Sequence, residues 1–256
     1  MAIAISQPSQ QSLLVTTMFN KTATGTATAF VAQLNDIPFL ITNRHVVTGL
    51  HQDTNKPLDT KTAAIPNTLR VAFNSALGLG LFTEHDLPLL TDDVPLWIEH
   101  PSRGASVDMV ALALPKLPDI VQYPYKVDAS VHTTIEPGSI VRTIGFPFGE
   151  KTGASFAVWS TGFVASEPEI DHGGLPVFLV DCRSRQGQSG SPVIDYSDIG
   201  CQFLGPEKRP TKPGSAILLG VYSGRINAES DLGYVWKTYV LAELLLHAME
   251  RTRGKA

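Results

Sequence analysis

The feature that most constrains this chain is the spacing of its apolar runs. From Ser12 to Thr238 they are short, rich in Val, Ile, Thr and Phe, and interrupted every few residues by Gly, Pro, Asn or Asp. Runs of that length cannot sustain the i, i+3, i+4 repeat of a helix face, but they fit strands that turn one face to a core. The pattern predicts an all-β body with strands at 12–20, 26–34, 37–42, 68–74, 95–99, 107–114, 139–145, 156–165, 177–180, 191–194, 217–222 and 234–238. Lys21-Thr22-Ala23-Thr24-Gly25 reads as a turn, and Asn35-Asp36 closes a hairpin. The stretch 51–67 reads as a surface loop, as do the segments carrying His85-Asp86 and Asp92-Asp93. From Tyr239 onward the period changes. Val240, Leu241, Leu244, Leu245, Ala248 and Met249 share one helical face, and Arg251, Arg253 and Lys255 suit the negative end of a helix dipole. A C-terminal helix docked on the chain's own β-structure is expected.

Pro115, Pro118 and Pro124 crowd a short extended stretch, which places a domain boundary there. The expected organisation is a first domain over 12–115, a linker over 116–130, a second domain over 131–238, and a helix and tail over 239–256. With 43% hydrophobic and 17% charged residues in 256, each half can bury a core of its own.

Chemistry concentrates at Arg185-Gln186-Gly187-Gln188-Ser189-Gly190-Ser191-Pro192, where a serine stands between two glycines ahead of an apolar run. Flanking glycines admit torsions that let the amides of Gly187 and Ser189 point at one spot, the requirement for holding an oxyanion. A serine nucleophile needs a base, and the base needs an acid to fix its tautomer. Of seven histidines, His45 leaves the apolar stretch Phe39-Leu40-Ile41-Thr42 at a polar turn. Asp108 heads the run Met109-Val110-Ala111-Leu112, where a carboxylate can be buried and aimed. His45, Asp108 and Ser189 are therefore the candidate catalytic residues.

The motifs T-N-R-H-V-V, D-M-V-A-L-A-L and G-Q-S-G-S-P, in that order, resemble the three signatures of trypsin-like (chymotrypsin-fold) serine peptidases. Gly25-Thr26-Ala27-Thr28-Ala29-Phe30-Val31, Gly145-Phe146-Pro147-Phe148-Gly149 and Gly220-Val221-Tyr222-Ser223-Gly224 extend the likeness, which is strongest to the bacterial glutamyl-endopeptidase-like and HtrA-like branches. The resemblance implies two Greek-key six-stranded β-barrels with the active site between them, and a serine endopeptidase working through an acyl-enzyme. It also implies that Ser223 hydrogen-bonds the catalytic carboxylate, and that Tyr222, Ser223, Gly224 and Arg225 line the substrate cleft.

Two departures from the family pattern carry content. Zymogen-activated relatives place an aspartate before the nucleophile, buried against a freshly cut N-terminus. Gln188 is neutral, so no N-terminal cleavage is expected to be required. Six residues ahead of Ser189, where the family puts the floor of its primary pocket, stand Arg183 and then Ser184. Arg183 either forms a cationic floor suited to acidic side chains, or turns outward or pairs with Asp181, since burying an unpaired guanidinium is costly.

A net charge of -4 and a pI near 6.0 leave no basic stripe for nucleic acid. No run is apolar and long enough to cross a membrane, and residues 1–11 lack the form of a secretory signal, so a cytoplasmic chain is expected. Of the two cysteines, Cys182 and Cys201, free thiols are favoured over a crosslink across the intervening loop. No ligand spacing suggests a metal, and no cofactor is expected. The expected partner is a peptide or protein substrate. The competing reading is a latent or inactive peptidase-fold binding module that acts with an unidentified regulatory protein.

Overall fold

A computed structural model describes residues 4–127, 135–197, 201–204, 207–210, 214–227 and 229–253, with the backbone alone at 201–204 and 207–210. The chain is mostly β. Its first half builds a nine-stranded sheet, and the path of that sheet runs Ile120–Val121, Thr68–Ser75, Ser12–Phe19, Thr22–Leu34, Ile37–Thr42, Val110–Ala113, Trp97–Ile98. Phe82–Pro88 pairs with Thr68–Ser75, and Tyr125–Lys126 lies parallel to Thr22–Leu34. The second half forms a closed six-stranded barrel: Ile140–Gly145, Val158–Val164, Val177–Asp181, Leu232–Lys237, Ser215–Arg225 and Pro192–Ser197. A further hairpin joins Cys201–Leu204 to Glu207–Pro210.

The first sheet is not a closed six-stranded ring, contrary to the sequence-based expectation. Its path ends on two-residue strands at Ile120–Val121 and Trp97–Ile98, and no ladder joins those ends among the described residues. The turn expected at Lys21–Gly25 is instead strand: Thr22 pairs with Phe19 and Ala23 with Met18, so the reversal tightens to Asn20-Lys21, with Asn20 at φ 55. His85 and Asp86 also lie in a strand, Phe82–Pro88, where Arg70 grips Asp86 at 2.7 Å and His85 meets Asp119. An edge strand facing water carries polar side chains without alternating cleanly, which is why its sequence resembles a loop. Asp92-Asp93 does form a turn, both residues at positive φ.

Among the described residues, apolar burial divides into three clusters. One fills the first sheet around Val15, Val31, Leu40 and Val71, and one fills the barrel around Val141, Phe178, Val193 and Val235. The third lies between them, where Phe30, Phe39 and Met109 meet Ile144, Phe146 and Trp236 under the helix Thr238–Arg253. The helix buries the face read from its period, Val240, Leu241, Leu244, Leu245, Ala248 and Met249. Its opposite side sends Glu243 to the buried His100 at 2.9 Å. Lys255 lies outside the described residues, as do 128–130 of the expected linker. Polar bonds reinforce the seam between the halves: Ser12 Oγ donates to the Ile144 carbonyl at 2.8 Å, and Trp159 Nε1 donates to Ser9 Oγ at 2.7 Å.

Candidate active site

His45 is the second residue of a one-turn helix, Arg44–Thr48, that begins where the strand Ile37–Thr42 leaves the sheet. Gly49 ends the helix in the left-handed region at φ 65, its N–H bonded to the His45 carbonyl at 2.9 Å. Asp108 lies just before the strand Val110–Ala113 and is buried. Its Oδ2 is 2.6 Å from His45 Nδ1 and accepts Ser223 Oγ–H at 2.6 Å, while its Oδ1 accepts the His45 backbone N–H at 2.9 Å. The Asn43 side-chain amide donates to the Asp108 carbonyl at 2.7 Å. Burial alone would raise the Asp108 pKa, but the adjacent His45 and the hydrogen bonds from His45 and Ser223 outweigh it and hold the carboxyl below its usual range. An ionised carboxylate accepts only, so the bond to Nδ1 requires the proton there and leaves His45 Nε2 as the lone-pair nitrogen.

Sign and window follow from that depressed pKa. A carboxyl that titrates lower in the folded than in the unfolded chain contributes stability above its unfolded pKa, about 3.9. That stability is lost as pH falls through the folded value. Acid titration of thermal stability should therefore show a decline below about pH 4 that flattens in Asp108→Asn. Equal slopes in the two proteins would contradict the assigned ionisation.

Ser189 is half-buried in the turn between the barrel strands Val177–Asp181 and Pro192–Ser197. Thr28, from the first sheet, anchors this turn: its N–H donates to the Ser189 carbonyl at 2.9 Å, and its hydroxyl donates to the Gly187 carbonyl at 2.8 Å. Gly187 (φ 96) and Gly190 (φ 84) are both left-handed. A Cβ on Gly190 would collide with the Thr28 carbonyl oxygen. Gly190→Ala should therefore lose roughly 1–3 kcal/mol from the backbone conformation alone, read as a lowered denaturation midpoint; an unchanged midpoint would show that the turn adapts. Among the described residues, neither the Gly187 nor the Ser189 amide donates to a backbone carbonyl.

His45 and Ser189 together line two openings. A cleft of about 760 Å³ also receives Asp108, Ser184, Tyr222, Ser223, Gly224 and Arg225. A smaller cavity of about 300 Å³ also receives Gly187 and Val46. No hydrogen bond joins Ser189 to His45 among the described residues, and such bonds are often long before substrate binds. The arrangement holds the groups that acyl transfer uses, and residues 25–200 match the family described as trypsin-like peptidase domain. The chain belongs to the trypsin-like peptidase family.

Solved structures share the fold of this trypsin-like peptidase. The Rv3671c protease of M. tuberculosis in its active form is 18% identical with a TM-score of 0.50, aligned over 93% of this chain and 81% of that one. The serine endoprotease from Yersinia pestis is 12% identical with a TM-score of 0.53, aligned over 96% of this chain and 68% of that one. No curated protein sequence matches. As a serine peptidase, the protein acts on peptide or protein substrates.

The structure gathers most of the sequence-derived site residues of this trypsin-like peptidase, but not Arg183, which is exposed and absent from the lining of the cleft. Its exposure leaves the guanidinium in water and avoids the cost of burying that charge. The buried position beside it is Ser184, whose hydroxyl bonds the Tyr222 hydroxyl. Burial pushes the Tyr222 phenol up to about 12, so it stays neutral. Its backbone holds the turn that carries Ser189, accepting from Gly190 N–H at 3.0 Å and donating to Ser191 O at 2.9 Å. Gly224 is at φ 143, and Arg225 is exposed at the cleft rim. Sequence reasoning missed Thr28, Asn43 and Ser160; the first two stand inside the quoted motifs, and nothing local marks the third. Among the described residues no group of three or more His, Cys, Asp or Glu could hold a metal, and no helix is long and apolar enough to cross a membrane. Cys182 is a buried free thiol, and the Cys201 side chain lies outside those described.

Proposed function

We propose that this serine peptidase is an endopeptidase whose triad is Ser189, His45 and Asp108. Ser189 Oγ attacks the scissile carbonyl carbon as His45 Nε2 takes its proton. The resulting oxyanion is held by the amides of Gly187 and Ser189, and His45 returns the proton to the leaving amine. Water then releases the acyl group by the same proton route in reverse. Asp108 keeps Nδ1 protonated and stabilises the imidazolium. The observation that carries the reading is the clamp on His45: the carboxylate of Asp108 grips ring and backbone together, 2.6 and 2.9 Å away, at the cleft that Ser189 shares.

Ser184, Tyr222, Ser223, Gly224 and Arg225 bound the acyl side of the cleft, where an extended substrate would lie along Ser223 and Gly224, past the point at which the ladder to Pro192–Ser197 ends at Val221. Arg183 has no part in this. The open nine-stranded sheet is read as the counterpart of the family's first barrel, with the domain boundary after Tyr125–Lys126, since Ile120–Val121 and Tyr125–Lys126 still pair in that sheet. Activity requires no N-terminal cleavage, because Gln188 leaves no buried anion awaiting a new ammonium. The test is to incubate the chain with an unfolded protein and sequence all termini. New substrate termini with the enzyme's own N-terminus intact are expected. Cleavage that begins only after the enzyme is trimmed would refute the independence from processing.

A further inference from the structure

Gln188 stands between the nucleophile serine and Gly187 and is wholly buried. Both ends of its amide are in use. Oε1 accepts the Arg185 N–H at 2.7 Å, and Nε2 donates to Ser160 Oγ at 2.9 Å, on the barrel strand Val158–Val164. The Gln188 N–H donates to the Arg185 carbonyl at 3.1 Å. Arg185 and Gln188 are thus joined twice, closing a short turn around Gln186 and Gly187. The carbonyls of those enclosed residues are tied to other elements: Gln186 O accepts Phe148 N–H at 2.6 Å, and Gly187 O accepts the Thr28 hydroxyl at 2.8 Å. In a planar trans peptide the N–H points opposite to the C=O. With the Gln186 carbonyl fixed on Phe148, the Gly187 N–H is held on the other side of that peptide.

We propose that Gln188 is a positioning residue for the reaction, its amide clamping the turn at Arg185 to Ser160 so that the Gly187 N–H is aimed before substrate arrives. The proposal rests on the reading of Ser189 and Gly187 given above. Space-filling would need neither bond; two directional bonds to two separate elements specify an orientation, which is what a preorganised oxyanion donor requires. Without them the Gln186–Gly187 peptide can rotate between its tethers, and the donor is lost for part of the time.

Three variants test this: Gln188→Met, which keeps length but loses both bonds; Ser160→Ala, which removes one partner; and Gln188→Glu. The readouts are the rate of fluorophosphonate labelling, kcat and KM on a cleaved peptide, and thermal unfolding as the check on folding. Gln188→Met should slow labelling and kcat together by roughly 10²-fold, the scale of a lost oxyanion donor, with KM little changed. Ser160→Ala should shift the same quantities in the same direction by less. Gln188→Glu, while protonated, offers its C=O to the Arg185 N–H and its O–H to Ser160 Oγ as the amide does, so it should keep activity at low pH relative to the unsubstituted enzyme and lose it as pH rises and the buried carboxyl ionises without a cation. If Gln188→Met does not fold, Ser160→Ala and the pH profile of Gln188→Glu decide. Labelling of the unsubstituted chain with equally fast labelling of the folded variants would overturn the assignment to Gln188 alone. An effect confined to KM would do the same. An unsubstituted chain that does not label would overturn the Ser189 reading, and this proposal with it.

Discussion

Replacing Ser189 by alanine is expected to lower peptide hydrolysis by on the order of 10⁴–10⁶-fold while leaving the unfolding midpoint nearly unchanged. The size of the loss follows from the site's division of labour. On the proposed triad, the oxyanion amides and the cleft survive, but the hydroxyl that would bond the substrate carbonyl is gone, and His45 has no proton to take from it. The small effect on stability follows from where the turn is anchored. Thr28 holds it through the backbone carbonyls of Gly187 and Ser189, and Tyr222 holds it through the backbones of Gly190 and Ser191, so among the described residues no link passes through the Ser189 hydroxyl. Peptide turnover and a melting curve on the same sample check both halves. A variant that melts much earlier would show the hydroxyl to be structural.

Asp108→Asn should cost about 10⁴-fold in kcat with much less change in KM. The carboxylate accepts three hydrogen bonds, from the His45 ring, the His45 backbone and Ser223. An asparagine of the same shape offers one acceptor oxygen and turns an NH₂ toward a group that must donate. The imidazole can satisfy that NH₂ only by making Nδ1 the acceptor, which moves its proton to Nε2, where it can no longer receive one from Ser189. The loss is one of tautomer more than of charge. Asp108→Ala should be no more active but less stable, because the half-buried His45 and Ser223 donors lose their acceptor. Paired kcat and unfolding measurements separate the two, and an Asp108→Asn enzyme with near-normal kcat would contradict the assigned tautomer.

The parts of this site that the sequence displayed are those that are local. Gly187 and Gly190 flank Ser189 because the backbone there is left-handed, and that need is written at those positions. The same is true of the helix Thr238–Arg253, whose buried face follows directly from its period. Legibility failed where the cause is tertiary. The strand Phe82–Pro88 carries Glu84, His85 and Asp86 because it lies on an edge, and its sequence has no signal for the Arg70 that pairs with it. Arg183 lies six residues ahead of Ser189, which spacing alone could not distinguish from a pocket floor. Only the burial of Ser184 beside it shows which side chain faces in. Ser160, far away along the chain, gains its place by the strand register of the barrel.

The most direct test of the account is to treat the purified chain with a fluorophosphonate probe and locate the adduct by mass spectrometry. The probe needs an activated serine and formed oxyanion donors but not the right peptide, so it asks about the site independently of substrate preference. The account predicts one adduct, on Ser189, absent from Ser189→Ala and strongly reduced in a His45→Ala variant that still folds. An adduct on another serine, or labelling unaffected by either substitution, would contradict it.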